Sequence, residues 1–150
     1  MKLNAAARPS WNEGWAHIGS EDMLAAKALI ELSGDLASDA VVWLGYQQFP
    51  VYASEAWDAE RIGTRRGDPI FLYEEWIADV DAAGRGWCSS ADRLFHIVAA
   101  LLDPERTLNL RATLGYGVGS LETDVWRILT EWGTGGNNRD RAGRLSVVHR

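Results

Sequence analysis

The sequence predicts a mainly α fold: a compact single-domain bundle of five to seven helices joined by short loops, with room for one small strand pair. Three observations lead to this prediction. Apolar residues recur at helical spacing along most of the chain, and residues that begin or end helices flank those segments. A chain of 150 residues also forms one domain more simply than two. The candidate strands are residues 107–111 and 144–148.

The first helix is predicted from a capping box. Ser10 and Glu13 have the spacing at which each side chain accepts a hydrogen bond from the other residue's backbone N–H. Trp11, Trp15 and Ile18 then fall on one helical face. We expect both tryptophans to point into the core.

Two further helices are predicted to form a tight hairpin. Ser20 has the position of an N-cap for the first of them, and Gly34 has the position of its stop. The second is predicted from a cap at Asp35 to the neighbourhood of Pro50, because proline cannot continue a helix.

The middle of the chain is predicted to form a brief helix at 54–63, a turn at 63–68 and then a long helix. Asp68 is the predicted N-cap of the long helix, Pro69 occupies its first position, and Gly84 ends it. Its predicted buried stripe comprises Tyr73, Trp76, Ile77 and Val80.

Two helices are predicted in the C-terminal third. The first begins at a capping box of Ser89 and Asp92 and ends before Pro104, and its apolar character on nearly every side predicts a central position. The last helix covers residues 120–133, and its apolar face comprises Leu121, Val125, Ile128 and Trp132. The pattern of residues 107–115 fits either a short strand or a helical turn.

Charge divides the chain into three parts. Residues 1–10 form a short basic N-terminal arm, and residues 134–150 form a Gly/Asn/Arg-rich basic tail. Between them, residues 11–133 carry 9 basic and 20 acidic side chains. An acidic body of this kind attracts basic surfaces and repels polyanions.

The composition also bears on compartment. Cys88 is the one cysteine, so no internal disulfide can form, as is usual for proteins of a reducing compartment. The N-terminal residues lack the apolar stretch of a signal peptide, and the longest apolar run, residues 97–102, is too short to span a bilayer. We therefore expect a cytoplasmic protein without membrane association.

Three glycines, Gly115, Gly117 and Gly119, precede the last helix. Their spacing matches neither a Walker loop, which needs a following lysine, nor a dinucleotide fingerprint. Glu122 and Asp124 also occupy the first helical turn, where a bound phosphate would need the positive end of the helix dipole. The sequence therefore predicts no cofactor at this loop.

The remaining candidates for chemistry are two histidines and a cysteine. His17 follows Glu13 by four residues, and His96 follows Asp92 by four, but neither pair matches the spacing of a zinc or di-iron motif. Cys88 has no histidine partner that the sequence identifies. We therefore predict no metal site and no catalytic residue, and a small enzyme whose site forms only in the fold is the alternative.

Nucleic-acid binding is unfavourable for the body. The last helix carries three acids and one arginine, whereas phosphate contacts need the reverse balance. The basic tail could reach a nucleic-acid backbone, which leaves a nucleic-acid-associated regulator as a further alternative. The tail arginines are Arg139, Arg141, Arg144 and Arg150.

Seven of the eight tryptophans can be grouped by whether they lie on or off the apolar stripe of a predicted helix. Trp57 and Trp126 lie off the apolar stripes of their predicted helices, and exposed tryptophans are frequent anchors of interfaces. We therefore predict a non-catalytic interaction protein, of the immunity, antitoxin or inhibitor type, that binds a basic protein partner. The predicted partner-binding residues are Trp57, Trp126, Glu122, Glu74, Glu75 and Asp79. The predicted core tryptophans are Trp11, Trp15, Trp43, Trp76 and Trp132. The sequence does not determine the oligomeric state, and a homo-oligomer is compatible with it.

Overall fold

The computed structural model describes residues 2–17, 19–52, 61–108 and 122–134, which are mostly helical with a small two-stranded antiparallel sheet. The elements are α1 (Trp11–Gly14), α2 (Glu21–Leu32), α3 (Gly34–Ala40), β1 (Leu44–Tyr52), β2 (Arg61–Phe71), α4 (Tyr73–Ala83), α5 (Ser89–Leu102) and α6 (Glu122–Thr134). The mainly α prediction is confirmed. Both strands, however, lie where the sequence predicts helices and a turn.

The predicted third helix is wrong beyond Ala40. The chain passes through a 3-10 turn at Val41–Trp43 and continues as β1, which pairs with β2 from Leu44 opposite Phe71 onward. Aromatic and β-branched residues favour a strand here. The sequence pattern alone does not distinguish a helix from a strand here, because a short apolar run fits both unless the partner strand is known.

The predicted turn at 63–68 and the helix start at Asp68 are also wrong. β2 continues to Phe71, and α4 begins at Tyr73. Pro69 lies opposite Tyr46 in the ladder, a position that proline tolerates because each strand of a two-stranded sheet has an open edge. Of the predicted brief helix, residues 61–63 belong to β2.

Two helix ends follow the sequence prediction. The Ser10 hydroxyl accepts a hydrogen bond of 3.2 Å from the backbone N–H of Glu13, and the Glu13 carboxylate accepts one of 2.9 Å from the N–H of Ser10. This geometry confirms the capping box. Gly84 ends α4 with a φ of 72°, a conformation that favours glycine.

Two predicted caps are wrong by one or two residues. Ser33, and not Asp35, caps α3, since its hydroxyl accepts a hydrogen bond from the N–H of Leu36. Cys88, and not Ser89, has the N-cap position of α5, and its thiol makes no capping bond. Gly34 is the first residue of α3 and not the stop of α2.

The core forms around α5, as its sequence predicts, with eight buried residues on that helix. The predicted stripe of α4 is confirmed at Trp76, Ile77 and Val80, while Tyr73 is half-buried. The described part of the predicted α6 face is confirmed as well, because Val125, Ile128 and Trp132 are buried. Of the predicted core tryptophans, Trp15, Trp43, Trp76 and Trp132 are buried, and Trp11 is half-buried against them.

A row of aromatic rings fixes the base of the β-hairpin to the helices. The Phe71 ring centroid lies 5.1 Å from that of Trp15 and 5.5 Å from that of Trp76. The Trp76 ring in turn meets Phe95 of α5 edge to face at 5.3 Å. The base of the hairpin is therefore buried, whereas residues 47–50 and 62–66 are exposed.

Several predictions lie outside the described residues. These are the brief helix at 54–60 with Trp57, the face positions Ile18 and Leu121, the glycine loop at 115–119, the strand pair at 109–111 and 144–148, and the tail from residue 135. Residues 107 and 108, which are described, have no regular secondary structure.

Candidate partner-binding site

The three acids predicted on α4 have different surroundings. Glu74 and Glu75 are exposed, and each lies beside a different groove. Asp79 is half-buried and accepts a hydrogen bond of 2.7 Å from Arg85. The three carboxylates therefore do not form one binding surface.

Glu74 belongs to a groove of about 400 Å³ where α4 meets the end of α5, here called the acidic groove. Apolar side chains form its floor, and ionisable side chains form its rim. The floor is the buried pair Ile77 and Leu102, while Ala78 and Pro104 are exposed apolar residues of the same lining. The rim is Tyr73, Glu74, Asp81, Asp103 and Arg106. Such a mixture suits an amphipathic ligand with one charged end.

One rim carboxylate is neutralised within the chain. Arg106 donates two hydrogen bonds to Asp81, of 2.8 and 3.1 Å, in the bidentate geometry that is strongest between these groups. These bonds lower the pKa of Asp81 and raise that of Arg106. Asp81 is therefore ionised at neutral pH but already has a cationic partner.

The other two rim carboxylates have no cationic partner within ion-pair distance among the described residues. Glu74 forms no ion pair there, and Asp103 accepts a hydrogen bond of 3.0 Å from the backbone N–H of Glu105. Burial raises the pKa of the Tyr73 phenol, and the charges of Glu74 and Asp103 and a hydrogen bond to Glu74 raise it further. The acidic groove thus presents two carboxylates and a neutral phenol beside an apolar floor.

Asp79 belongs to a network that joins three elements. Arg85 donates to Asp39 of α3 at 2.9 Å and to Asp79 of α4 at 2.7 Å. Asp39 also accepts the indole N–H of Trp76 at 2.8 Å. Helix-face spacing could not have identified these contacts, because Arg85 and Trp76 lie 46 and 37 residues from Asp39 along the chain. Asp79 thus contributes to packing as well as to surface charge.

The β-hairpin carries a second exposed surface, and it is basic. On one face, Gln48, Thr64 and Arg66 lie beside the N-terminal arm in a groove of about 410 Å³ that Glu75 also lines. On the other face, here called the outer face, Arg65 stacks on Phe49 with 4.9 Å between the guanidinium carbon and the ring centroid. Alternate residues of a strand share a face, which places Val51, two positions after Phe49, on the outer face as well.

Exposed apolar side chains concentrate on the hairpin. Among the described residues, the exposed large hydrophobic side chains are Leu24 on α2 and Phe49, Tyr52 and Ile62 on the hairpin. Ile62 is 65% exposed. Sequence reasoning missed this surface because it assigned the segment to helices and a turn. The available signal was the concentration of Tyr, Phe and Val residues over 46–52, which favours a strand.

The predicted residues on α6 lie apart from α4. Glu122 is exposed at the start of the helix, and Trp126 is half-buried, so its ring is partly available to a partner. Trp57 lies outside the described residues. The prediction that Trp126 is an anchor is therefore not tested by its position alone.

The histidines and Cys88 do not come together as a recognisable centre. His17 is exposed, and His96 lies 3.6 Å from Asp92 and 3.4 Å from Arg106 on the surface of α5. Cys88 is exposed ahead of the same helix. Across residues 2–17, 19–52, 61–108 and 122–134, no three His, Cys, Asp or Glu side chains are grouped to hold a metal ion.

Over the same described ranges, no helix has the length and apolar character that crossing a bilayer would require. Comparisons of the chain with protein-family models, with curated proteins and with solved structures found no match.

Proposed function

We propose that this chain is a non-catalytic interaction protein whose acidic groove binds a basic protein partner. The observation that carries the proposal is that Glu74 and Asp103, which have no ion-pair partner among the described residues, line the same groove as the apolar residues Ile77 and Leu102. A lysine or arginine side chain has the matching chemistry, since its aliphatic stem can lie on apolar surface while its charged head reaches carboxylates. A small anionic ligand would be repelled by the same rim.

The surrounding acids support steering of such a partner. Residues 73–83 carry four acidic side chains and no basic one, and Glu122 adds an exposed carboxylate on α6. Charges at the rim of an interface act mainly on the rate of encounter, whereas apolar anchors act mainly on the rate of dissociation. In this proposal Glu75, Asp79 and Glu122 contribute to the field, and Trp126 and Trp57 are the candidate aromatic anchors.

The proposal is tested by charge reversal in the acidic groove. The double variant Glu74→Lys/Asp103→Lys is immobilised beside the wild type and exposed to lysate of the source organism at low ionic strength. We expect a basic protein to be captured by the wild type and lost from the variant. The matched control is Glu131→Lys, which reverses an exposed charge on α6 outside the groove.

The captured partner then allows a kinetic test. Added salt should slow association and leave dissociation nearly unchanged, because screening weakens long-range attraction more than close contacts. Trp126→Ala should instead speed dissociation, with a loss of affinity of about 2 kcal/mol if the ring is an anchor. Equal capture by the wild type and by the groove variant would contradict the proposal.

A further inference from the structure

The outer face of the hairpin and the acidic groove are complementary in charge and in polarity. The outer face presents the Arg65 guanidinium stacked on the Phe49 ring, which is 39% exposed. The groove presents Glu74 and Asp103 above an apolar floor. A basic group beside an exposed aromatic ring is the chemistry that the proposed function requires of a partner, and this chain itself carries it.

Two features of the hairpin disfavour the pairing of an added strand along its edges, so a partner would bind to one of its faces. Pro50 in β1 and Pro69 in β2 each remove a backbone N–H that an added strand would need. The ladder also has two irregularities in register, between Tyr46 and Gln48 and between Val51 and Tyr52. Bulges and prolines of this kind protect exposed strands from edge-to-edge pairing.

The Phe49 ring on the outer face depends on a glycine beside it. A Cβ at Gly67 would collide with the Phe49 ring, so glycine at this position leaves the ring the space it occupies. On the opposite face, Leu3 and Ala7 of the N-terminal arm line a groove together with Gln48, Thr64 and Arg66. The outer face, with its exposed Phe49 ring, is therefore the face of the hairpin that we consider for docking.

We propose that the basic partner of the acidic groove is the hairpin of a second copy of this chain. The inference rests on the proposed function and names its partner. Arg65 of one copy would reach Glu74 and Asp103 of the other, while Phe49 covers Ile77 and Leu102 on the floor. Because Glu74 follows the end of β2 by three residues, the groove opens close to the base of its own hairpin. A dimer closed by two-fold symmetry would make this contact twice, with each hairpin on the groove of the other copy.

A nucleic acid is the less favoured occupant of the outer face. The chain has 21 acidic and 15 basic residues, and its formal net charge is −6. A polyanion held by the hairpin would lie near the acids of α4, whereas stable binding needs several phosphates neutralised by basic side chains. A second copy has the same net charge of −6, but its two groove carboxylates need only the Arg65 guanidinium and not a series of basic side chains.

The test is sedimentation velocity on the full chain over a range of protein concentrations, at low and at high ionic strength. We expect a dimer that weakens as salt rises. Arg65→Glu should weaken dimerisation at least about tenfold, which corresponds to about 1.4 kcal/mol, and Glu74→Lys/Asp103→Lys should do the same. Arg127→Glu, which reverses an exposed charge on α6, is the matched control and should leave the dimer unchanged.

Mixing the two variants gives the decisive result. Each variant repels itself, but in the mixture the reversed hairpin meets the reversed groove and the native hairpin meets the native groove. We therefore expect the mixture to recover the dimer, which a general loss of folding could not produce. Circular dichroism of each variant alone shows whether it is folded.

Three results would overturn the inference. The first is a monomer at every concentration, and the second is a dimer that neither variant weakens. The third is a monomeric chain that shifts the anisotropy of a labelled single-stranded oligonucleotide and loses this binding with Arg65→Glu. A monomer that still captures a basic protein through Glu74 and Asp103 would overturn the second copy as partner and leave the proposed function standing.

Discussion

The indole N–H of Trp132 donates a hydrogen bond of 2.7 Å to the carboxylate of Asp22, which lies 110 residues earlier in the chain. Trp132 is buried on α6, and Asp22 lies in the first turn of α2. The bond fixes the last described helix to the start of the first long one. It also satisfies the only polar atom of a large buried side chain, which would otherwise lose its hydrogen bonds to water.

Trp132→Phe should destabilise the protein by about 1 to 3 kcal/mol, because it removes a hydrogen bond to a charged group together with part of a buried ring. Urea unfolding followed by circular dichroism measures the change. A double-mutant cycle with Asp22→Ala separates the hydrogen bond from the lost packing. Additive effects of the two substitutions would show that the bond contributes nothing to stability.

Arg85→Ala should destabilise the protein by about 2 kcal/mol, because Asp39 and Asp79 both lose a partner and Asp39 is only partly solvated. Arg85→Lys should restore only part of that loss, since an ammonium group cannot reach both carboxylates with the geometry of a guanidinium. Thermal unfolding of each variant gives the comparison. The control is Arg127→Ala, whose ion pairs are exposed and should matter by less than about 0.5 kcal/mol. Equal effects at the two arginines would contradict the role of the Arg85 network.

The Asp81–Arg106 pair should contribute to stability at neutral pH and cease to do so in acid. Folding lowers the pKa of Asp81, chiefly through its hydrogen bonds to Arg106, so the folded state binds fewer protons than the unfolded state. The stabilisation is present above the ordinary pKa of an aspartate, and it is lost as the pH falls through the lower folded pKa, below about pH 4. The difference in free energy of unfolding between wild type and Arg106→Gln should therefore shrink from pH 7 toward pH 3. Asp81→Asn should show the same trend, and a difference that does not change with pH would refute it.

Two glycines should respond in opposite ways to alanine. At Gly14 a Cβ would collide with the side chain of Leu44, which is fully buried and cannot move aside freely, so Gly14→Ala should cost about 1 to 3 kcal/mol. At Gly34, the first residue of α3, no atom lies within 4 Å of the added carbon, and Gly34→Ala should stabilise by about 0.5 kcal/mol. Denaturant midpoints of the two variants test both signs. A destabilised Gly34→Ala would indicate that its backbone needs the freedom of glycine.

Part of the candidate site could be predicted from the sequence. The acids of α4 and their exposure follow from helical spacing, because Trp76, Ile77 and Val80 turn inward and oblige Glu74 and Glu75 to turn outward. Asp103 could not be assigned to the same groove in this way. It lines the same groove as Glu74 only because α5 ends beside α4, a relationship between two elements that no local pattern encodes.

The sequence by itself determined the helices with strong local signals. α2, α5 and α6 have apolar faces or caps that depend on residues within four positions of each other, and the capping box at Ser10 is equally local. The tertiary structure alone decided that residues 44–52 and 61–71 form paired antiparallel strands. Strand pairing joins Leu44 to Phe71 across the chain, and the free energy of that pairing, with the burial of Phe71 between Trp15 and Trp76, outweighs the local preference for a cap at Asp68 and a helix at Pro69. The basic outer face therefore exists only because two distant segments pair.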